Sequence, residues 1–311
     1  MSLTVGIAGL SGRFGRLIGE ILLKRPASEV KLRGFCREPR KLAKSLSDNP
    51  RVEVVQGSAF DSSAARTFAK GCDVVICCYL GADKLMIDGQ KLLVDACEAE
   101  GVSRFLASDW TIDYTKLEYG QLFPKDPMKR VKDYLDTKER IKGVHVLIGA
   151  FMDTFFTKYF DAWDPEKKVF TFWGTGDEVL EFSSYRNSAE YTAAVALDRK
   201  AVGLQKFLGD RVSIKQILQH FDSQYSFKPE LKLVGSKEDL YKHMYEVREK
   251  EPDNVFKYMV LFYKYYLING QTHLGAIENS KYPDIKPETF RDFLRRHTVD
   301  QLSQAVEALE H

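Results

Sequence analysis

A strand-like apolar run, Leu3–Ala8, passes directly into Gly9-Leu10-Ser11-Gly12-Arg13-Phe14-Gly15, and a helical pattern starts inside that heptad. This juncture restricts the fold more than any other stretch of the chain. The first glycine lets the strand turn sharply, the second lets the backbone approach a bound group, and the third lets a helix pack on the strand. The first turn of such a helix presents unbonded N–H groups and the positive end of its dipole, which suits a phosphate. Spaced glycines alone are a weak signal. Between a strand and a helix at the start of a βαβ unit they indicate a dinucleotide pyrophosphate site. Gly9, Ser11, Gly12, Arg13, Phe14 and Gly15 are therefore candidate cofactor-binding residues.

The pattern that follows calls for a parallel sheet. Strands are expected at 30–36, 52–56, 74–78, 105–107 and 144–148, with helices at 14–24, 39–46, 62–69, 84–100 and 127–141. Strands alternating with helices imply right-handed crossovers and helices on both faces. The expected fold class is α/β, a doubly wound parallel Rossmann sheet. Beyond Gly149 the pattern changes. Short strands at 168–173 and 180–183 flank the turn Gly174-Thr175-Gly176-Asp177, and a helix follows at 188–197. The remainder reads as mainly helical, with the aromatic stripe Phe256, Tyr258, Phe262, Tyr263, Tyr265 and Tyr266, which is the pattern of a core face. The expected organisation is a nucleotide-binding Rossmann domain over 1–155 and a smaller, mostly helical substrate lobe over 156–308, with some segments free to return to the main sheet. Leu309-Glu310-His311 reads as a purification-tag remnant.

Ligands of open α/β sheets lie beyond the carboxyl ends of the strands, and NAD binders usually place a carboxylate at the end of the second. This chain has Cys36-Arg37-Glu38-Pro39-Arg40-Lys41 there. Arg37 at the strand tip and Lys41 one turn on suit a 2′-phosphate, so the expected cofactor is NADP(H), while Glu38 keeps NAD open. Cys78 and Tyr79 after the fourth strand and Ser108 after the fifth are further cofactor-side candidates. Trp110, Phe151, Met152 and Phe155 are substrate-side candidates, with Phe151 also placed against the nicotinamide. Each of these is equally a core or rim side chain.

At this point the residues resemble the NmrA-like and isoflavone-reductase-like group of atypical short-chain dehydrogenases. The likeness rests on the spaced glycines, on Arg37-x-Pro39-Arg40-Lys41, and on Val54-Val55-Gln56-Gly57-Ser58. It also rests on Ala99-Glu100-Gly101-Val102-Ser103-Arg104-Phe105, Gly149-Ala150-Phe151-Met152, Phe172-Trp173-Gly174-Thr175-Gly176-Asp177 and Asn279-Ser280-Lys281-Tyr282-Pro283. The Trp173-Gly174 segment looks most like fungal members, and Asn187 stands where the family has an Asp. The resemblance implies an NADP-type Rossmann domain and a small C-terminal substrate lobe. The group contains both reductases and redox-sensing regulators without turnover.

Ordinary short-chain dehydrogenases use Tyr-x-x-x-Lys with an upstream Ser, and Tyr134-Leu135-Asp136-Thr137-Lys138 with Ser108 fits that pattern on paper. Spacing argues against it, because Lys138 falls at the wrong end of its helix, close to the next strand. The resemblance instead points to Lys132, at the family's distance before Gly143-Val144, as general acid, or as a cofactor-binding group that fixes the ribose and polarises a substrate oxygen. Burial beside a cofactor would lower a lysine pKa and ease proton transfer near neutrality. The competing reading is a solvated lysine in the basic run with Lys129 and Arg130.

Composition removes other classes. With 46 basic and 44 acidic residues the formal charge is +2, so no field favours nucleic acid. No apolar run reaches the roughly 18 residues of a membrane span, and the start of the chain shows no leader pattern, so the expected location is cytoplasmic. The five cysteines and six histidines show no metal-ligand spacing, and reduced thiols are expected. The expected function is NADPH-dependent reduction of a small apolar or aromatic metabolite, as in secondary metabolism. The alternative is an NADP(H)-sensing regulator that presents a surface to a protein partner.

Overall fold

Six segments rich in Val, Ile, Leu and Phe pair in parallel: β1 (Leu3–Ala8), β2 (Val30–Cys36), β3 (Val52–Gln56), β4 (Val74–Cys77), β5 (Arg104–Leu106) and β6 (Lys142–Leu147). They belong to a seven-stranded sheet in the order Gly203–Lys206, β6, β5, β4, β1, β2, β3. Every residue of β4 and β5 is buried, as expected of parallel strands covered on both faces. The computed structural model describes residues 2–306, so the tag-like Leu309-Glu310-His311 lies outside the described residues.

The helices of this sheet are α1 (Arg13–Leu23), α2 (Lys44–Ser47), α3 (Ser62–Ala69), α4 (Gln90–Ala99) and α5 (Asp126–Asp136). Three differ from expectation. The predicted helix over 39–46 is a 3₁₀ turn at Pro39–Lys41, a break at Leu42-Ala43, and the short α2. The front of the helix expected over 84–100 is a wide π-type turn, Leu85–Gly89. Instead of reaching 141, α5 stops at Asp136, and Lys138 turns onto Asp95 and Glu98 of α4 at 2.7 and 3.2 Å.

The chain forms two units that interleave along the sequence. The first holds residues up to Trp110, then Lys125–Leu147 and Ser188–Gln205; the second holds Thr111–Pro124, Ile148–Asn187 and the chain from Lys206 onwards. A single cut at 155 therefore does not divide them, because the chain leaves the first unit after β5, returns for α5 and β6, and returns again with Ser188–Gln205.

Within the first unit, Arg104 of β5 is 4% exposed and donates to the carbonyls of Val195 and Ala196 at 2.9 and 2.6 Å. Those carbonyls end the helix Tyr185–Leu197 and have no partner further along it. Arg104→Met keeps much of the packing and removes both bonds. We expect a loss of about 2–4 kcal/mol in urea unfolding; an unchanged midpoint would show that water substitutes for the guanidinium.

The second unit has two three-stranded sheets, one ordering Asp210–Val212, Leu180–Ser183 and Ala150–Phe151, the other Glu230–Gly235, Val169–Trp173 and Trp163–Asp164. The strands Asp210–Val212 and Glu230–Gly235 interrupt a region expected to be mainly helical. The helices Ile214–Tyr225, Lys237–Lys250 and Val255–Ile268 complete the unit's larger elements. Its core is aromatic: Phe155, Phe156, Phe170, Phe221, Phe290 and Phe293 are buried in one cluster, with the Phe156 and Phe293 rings 6.2 Å apart and nearly parallel.

Candidate functional site

The glycine turn sits at the carboxyl end of β1, where strand order reverses between β1 and β4, and such a reversal opens a crevice. Gly9 has φ +84°, and a Cβ there would lie 2.9 Å from the Cys78 carbonyl oxygen. A Cβ on Gly15 would lie 2.5 Å from the Gly9 carbonyl oxygen, so α1 lies against the turn only because both residues lack side chains. Gly12 precedes α1 with extended backbone, and as a glycine it offers no side-chain cap to the helix start. Such a glycine cradle under an uncapped helix start fits a pyrophosphate. Ser11 and Gly12 are exposed, while Arg13 and Phe14 are half-buried.

Backbone hydrogen bonds tie this turn to both neighbours. The Gly9 N–H donates to Phe35 O, and the Cys78 N–H donates to Ala8 O, each at 2.8 Å. A hydrogen bond links the Cys36 thiol with the Ser11 side chain, joining the tip of β2 to the turn. The Gln56 amide donates to the Arg37 carbonyl at 3.1 Å. Arg37 is exposed at the strand tip. Lys41 is not extended into open space: its Nζ lies 2.7 Å from Glu38 Oε1, and Arg40 lies 3.0 Å from Glu38 Oε2. Lys41 and Arg40 hold the Glu38 carboxyl below its usual range.

The β4 and β5 tips form the other half. The Ser108 hydroxyl donates to Tyr79 O at 2.6 Å, and its N–H donates to buried Gln90 at 3.1 Å. Ser108 is thus tied into the loop after β4. The Cys78 and Tyr79 side chains titrate well above their ordinary ranges because burial disfavours their anions, so neither is a nucleophile near neutrality. Trp110 has φ +34°, a region uncommon for a bulky residue. It is held there by a 2.8 Å hydrogen bond from its indole N–H to Thr192 and by the Phe14 ring, 4.5 Å away edge-on.

His145 and Lys125, neither of which sequence reasoning singled out, complete this region with Asp109 of the β5 tip. Asp109, 5% exposed, pairs with Nδ1 of His145 on β6 at 2.7 Å, and His145 is 1% exposed. Lys125 ends the short 3₁₀ turn Phe123–Lys125 directly ahead of α5 and is only 9% exposed. Burial brings its ammonium down to about 8, while the Asp109 carboxylate acts in the opposite sense. The signal available for His145 was a titratable residue inside an apolar strand. For Lys125 it was a lysine between Phe123-Pro124 and Asp126-Pro127, at the helix start.

The residue favoured from sequence sits elsewhere. Lys132, about two turns further along α5, has its Nζ on Asp136 at 2.6 Å, an i,i+4 surface pair. Tyr134 and Lys138 both engage Asp95, at 2.6 and 2.7 Å. In the second unit, Met152 and Phe155 lie in the aromatic core, 0% and 2% exposed, where packing accounts for them. Phe151 is half-buried and stacks on Tyr185 at 4.0 Å. Asn187 is buried, accepting from the Glu288 N–H and donating to Lys286 O. The cysteines form no disulfide.

Comparison with known proteins agrees with this geometry. Residues 9–144 match the family described as NAD(P)H-binding. A stretch of 75 residues is 33% identical to an oxidoreductase of Pestalotiopsis microspora; it spans 23% of this chain and 28% of that protein. The structure of AtPrR2 with NADP+ and (+)pinoresinol superposes with a TM-score of 0.79 at 18% identity, covering 96% of this chain and 99% of that one. An isoflavone reductase superposes with a TM-score of 0.78 at 17% identity, covering 95% and 99%. Residues 9–144 are therefore an NAD(P)H-binding domain, on a chain whose fold is that of isoflavone reductase.

Proposed function

We propose that the protein is an NADPH-dependent reductase of a small, largely apolar or aromatic molecule, with Lys125 in the role that sequence reasoning gave to Lys132. One observation carries this reading: Lys125 is a nearly buried lysine whose ammonium is brought down to about 8. Such a place suits a group that must hold and release a proton near neutrality. When bound, the nicotinamide supplies the hydride. The uncapped α1 start and the glycine turn bind the pyrophosphate, and the Arg37 guanidinium supports the 2′-phosphate. Lys125 Nζ polarises a substrate oxygen, or donates its proton to the atom that gains negative charge. Asp109, fixed by His145, keeps that ammonium charged at neutral pH.

NADP itself is the ligand of a protein with a similar fold, which supports choosing the phosphorylated form. Calorimetric titration with NADPH and NADH tests this. Arg37→Ala should weaken NADPH about tenfold or more and leave NADH nearly unchanged. Equal losses for both nucleotides would remove Arg37 from the 2′ position.

Turnover is tested by incubating the protein with NADPH deuterated at C4 and a panel of aromatic enones, ketones and benzylic ethers. Deuterium in a product supports the reductase. Tight NADPH binding with every compound untouched would favour the nucleotide-sensing role. Among the described residues no helix is long and apolar enough to cross a membrane.

A further inference from the structure

The tip of β2 carries four charged side chains within five residues, and their arrangement bears on which nucleotide the site takes. Arg37, Glu38, Arg40 and Lys41 all lie beside the glycine turn, because Gly9 N–H bonds to Phe35 O and Ser11 bonds to Cys36. The Glu38 side chain is 37% exposed and bridges two of the three cations, Lys41 at 2.7 Å and Arg40 at 3.0 Å. A second bond closes the turn, from the Lys41 N–H to Glu38 O at 3.0 Å. Arg37 makes neither contact and stands exposed at the tip. The cluster thus presents one cation outward and holds two others on a carboxylate.

Resting on the NADPH reading above, we propose that Glu38 is a specificity-determining residue that restrains the preference for NADPH and keeps the site open to NADH. The carboxylate acts in two ways. It occupies Lys41 and Arg40, so a 2′-phosphate must share or displace it to use them. It also adds a negative charge beside a group that carries nearly two. For NADH the balance is opposite, since a carboxylate at this tip can accept a hydrogen bond from the ribose 2′-hydroxyl. Arg37 alone then provides the attraction for the phosphate, which leaves a moderate preference instead of exclusive use.

The test is a titration of NADPH and NADH, at low and at moderate salt, against the whole protein, Glu38→Gln and Arg37→Ala. Glutamine keeps the size of the side chain and removes its charge, and the cluster lies at the surface, so folding is not at risk. Both nucleotides should bind the unmodified protein. Glu38→Gln should tighten NADPH roughly tenfold, weaken NADH severalfold and steepen the loss of NADPH affinity with added salt. A ratio of the two affinities that does not change in Glu38→Gln, or that moves towards NADH, would overturn the proposal. The underlying reading fails separately. If Arg37→Ala leaves the ratio unchanged, this tip is not the 2′ subsite; if Arg37→Ala shifts it and Glu38→Gln does not, only the role of Glu38 is lost.

Discussion

Replacing Lys125 by Met should lower turnover by about 10² to 10⁴, the usual contribution of a positioned acid, and leave NADPH affinity within a few fold. Lys132→Ala should change neither, because its ammonium is committed to Asp136. In the unmodified protein, reduction should slow as pH rises through about 8, where the Lys125 ammonium loses its proton. Stability should move the other way, and the sign follows from the direction of the shift. The unfolded chain holds this proton to about 10.5 and the folded one only to about 8, so between these values the unfolded state binds more protons. Folding stability therefore rises with pH across that window, and below it the cost of burying the charge is present in full. Lys125→Met should be more stable than the unmodified protein at pH 7, by on the order of 3 kcal/mol, and the gain should vanish above about pH 10. Urea unfolding at several pH values measures this without any substrate. A variant that turns over normally would remove Lys125 from the chemistry. One that is no more stable at pH 7 would mean the burial penalty is offset elsewhere.

Gly15→Ala should abolish most nucleotide binding. Its Cβ would stand 2.5 Å from the Gly9 carbonyl oxygen, 3.1 Å from the Gly9 carbonyl carbon and 3.2 Å from Leu10 Cα. All three are backbone atoms, so the contact is relieved only by moving α1 away from the turn. The N–H groups at the start of α1 would then no longer converge on one phosphate. Forced overpacking costs about 1–3 kcal/mol of stability. We expect a similar loss in binding, which is roughly a hundredfold in the NADPH dissociation constant at the upper end. Gly101→Ala is the control. Gly101, unlike Gly15, has positive φ, but nothing lies within 4 Å of its Cβ position, so backbone strain acts there without the clash. Equal nucleotide affinity in Gly15→Ala and the unmodified protein would refute the cradle.

Much of the first unit was legible because its signals are local. The strands Leu3–Ala8, Val30–Cys36 and Val52–Gln56 coincide with the apolar runs from which they were expected. The glycine turn could be read residue by residue, since a turn's backbone demands depend on its own residues. Ser108 was placed just beyond a strand tip by an equally local signal, the apolar run of β5. What escaped was set by partners distant in sequence. Nothing in Asp210–Val212 or Glu230–Gly235 alone marks a strand; each becomes one by pairing with Leu180–Ser183 or Val169–Trp173. A return of some later segment to the main sheet was expected, but that Gly203–Lys206 is the segment was set in the same way, by its pairing with β6.

The lysines show the division most clearly. The sequence alone determined that an NAD(P)H-binding Rossmann unit begins at the first strand, and that α5 would carry a run of basic residues near its start. It could not tell which ammonium is taken out of water, because burial depends on how α5 packs, not on the order of its residues. Tertiary structure decided that: Lys132 faces Asp136 at the surface, and Lys125 is enclosed with Asp109 nearby. Charge spacing is written in the chain, but desolvation, which shifts a pKa, exists only once the chain has folded.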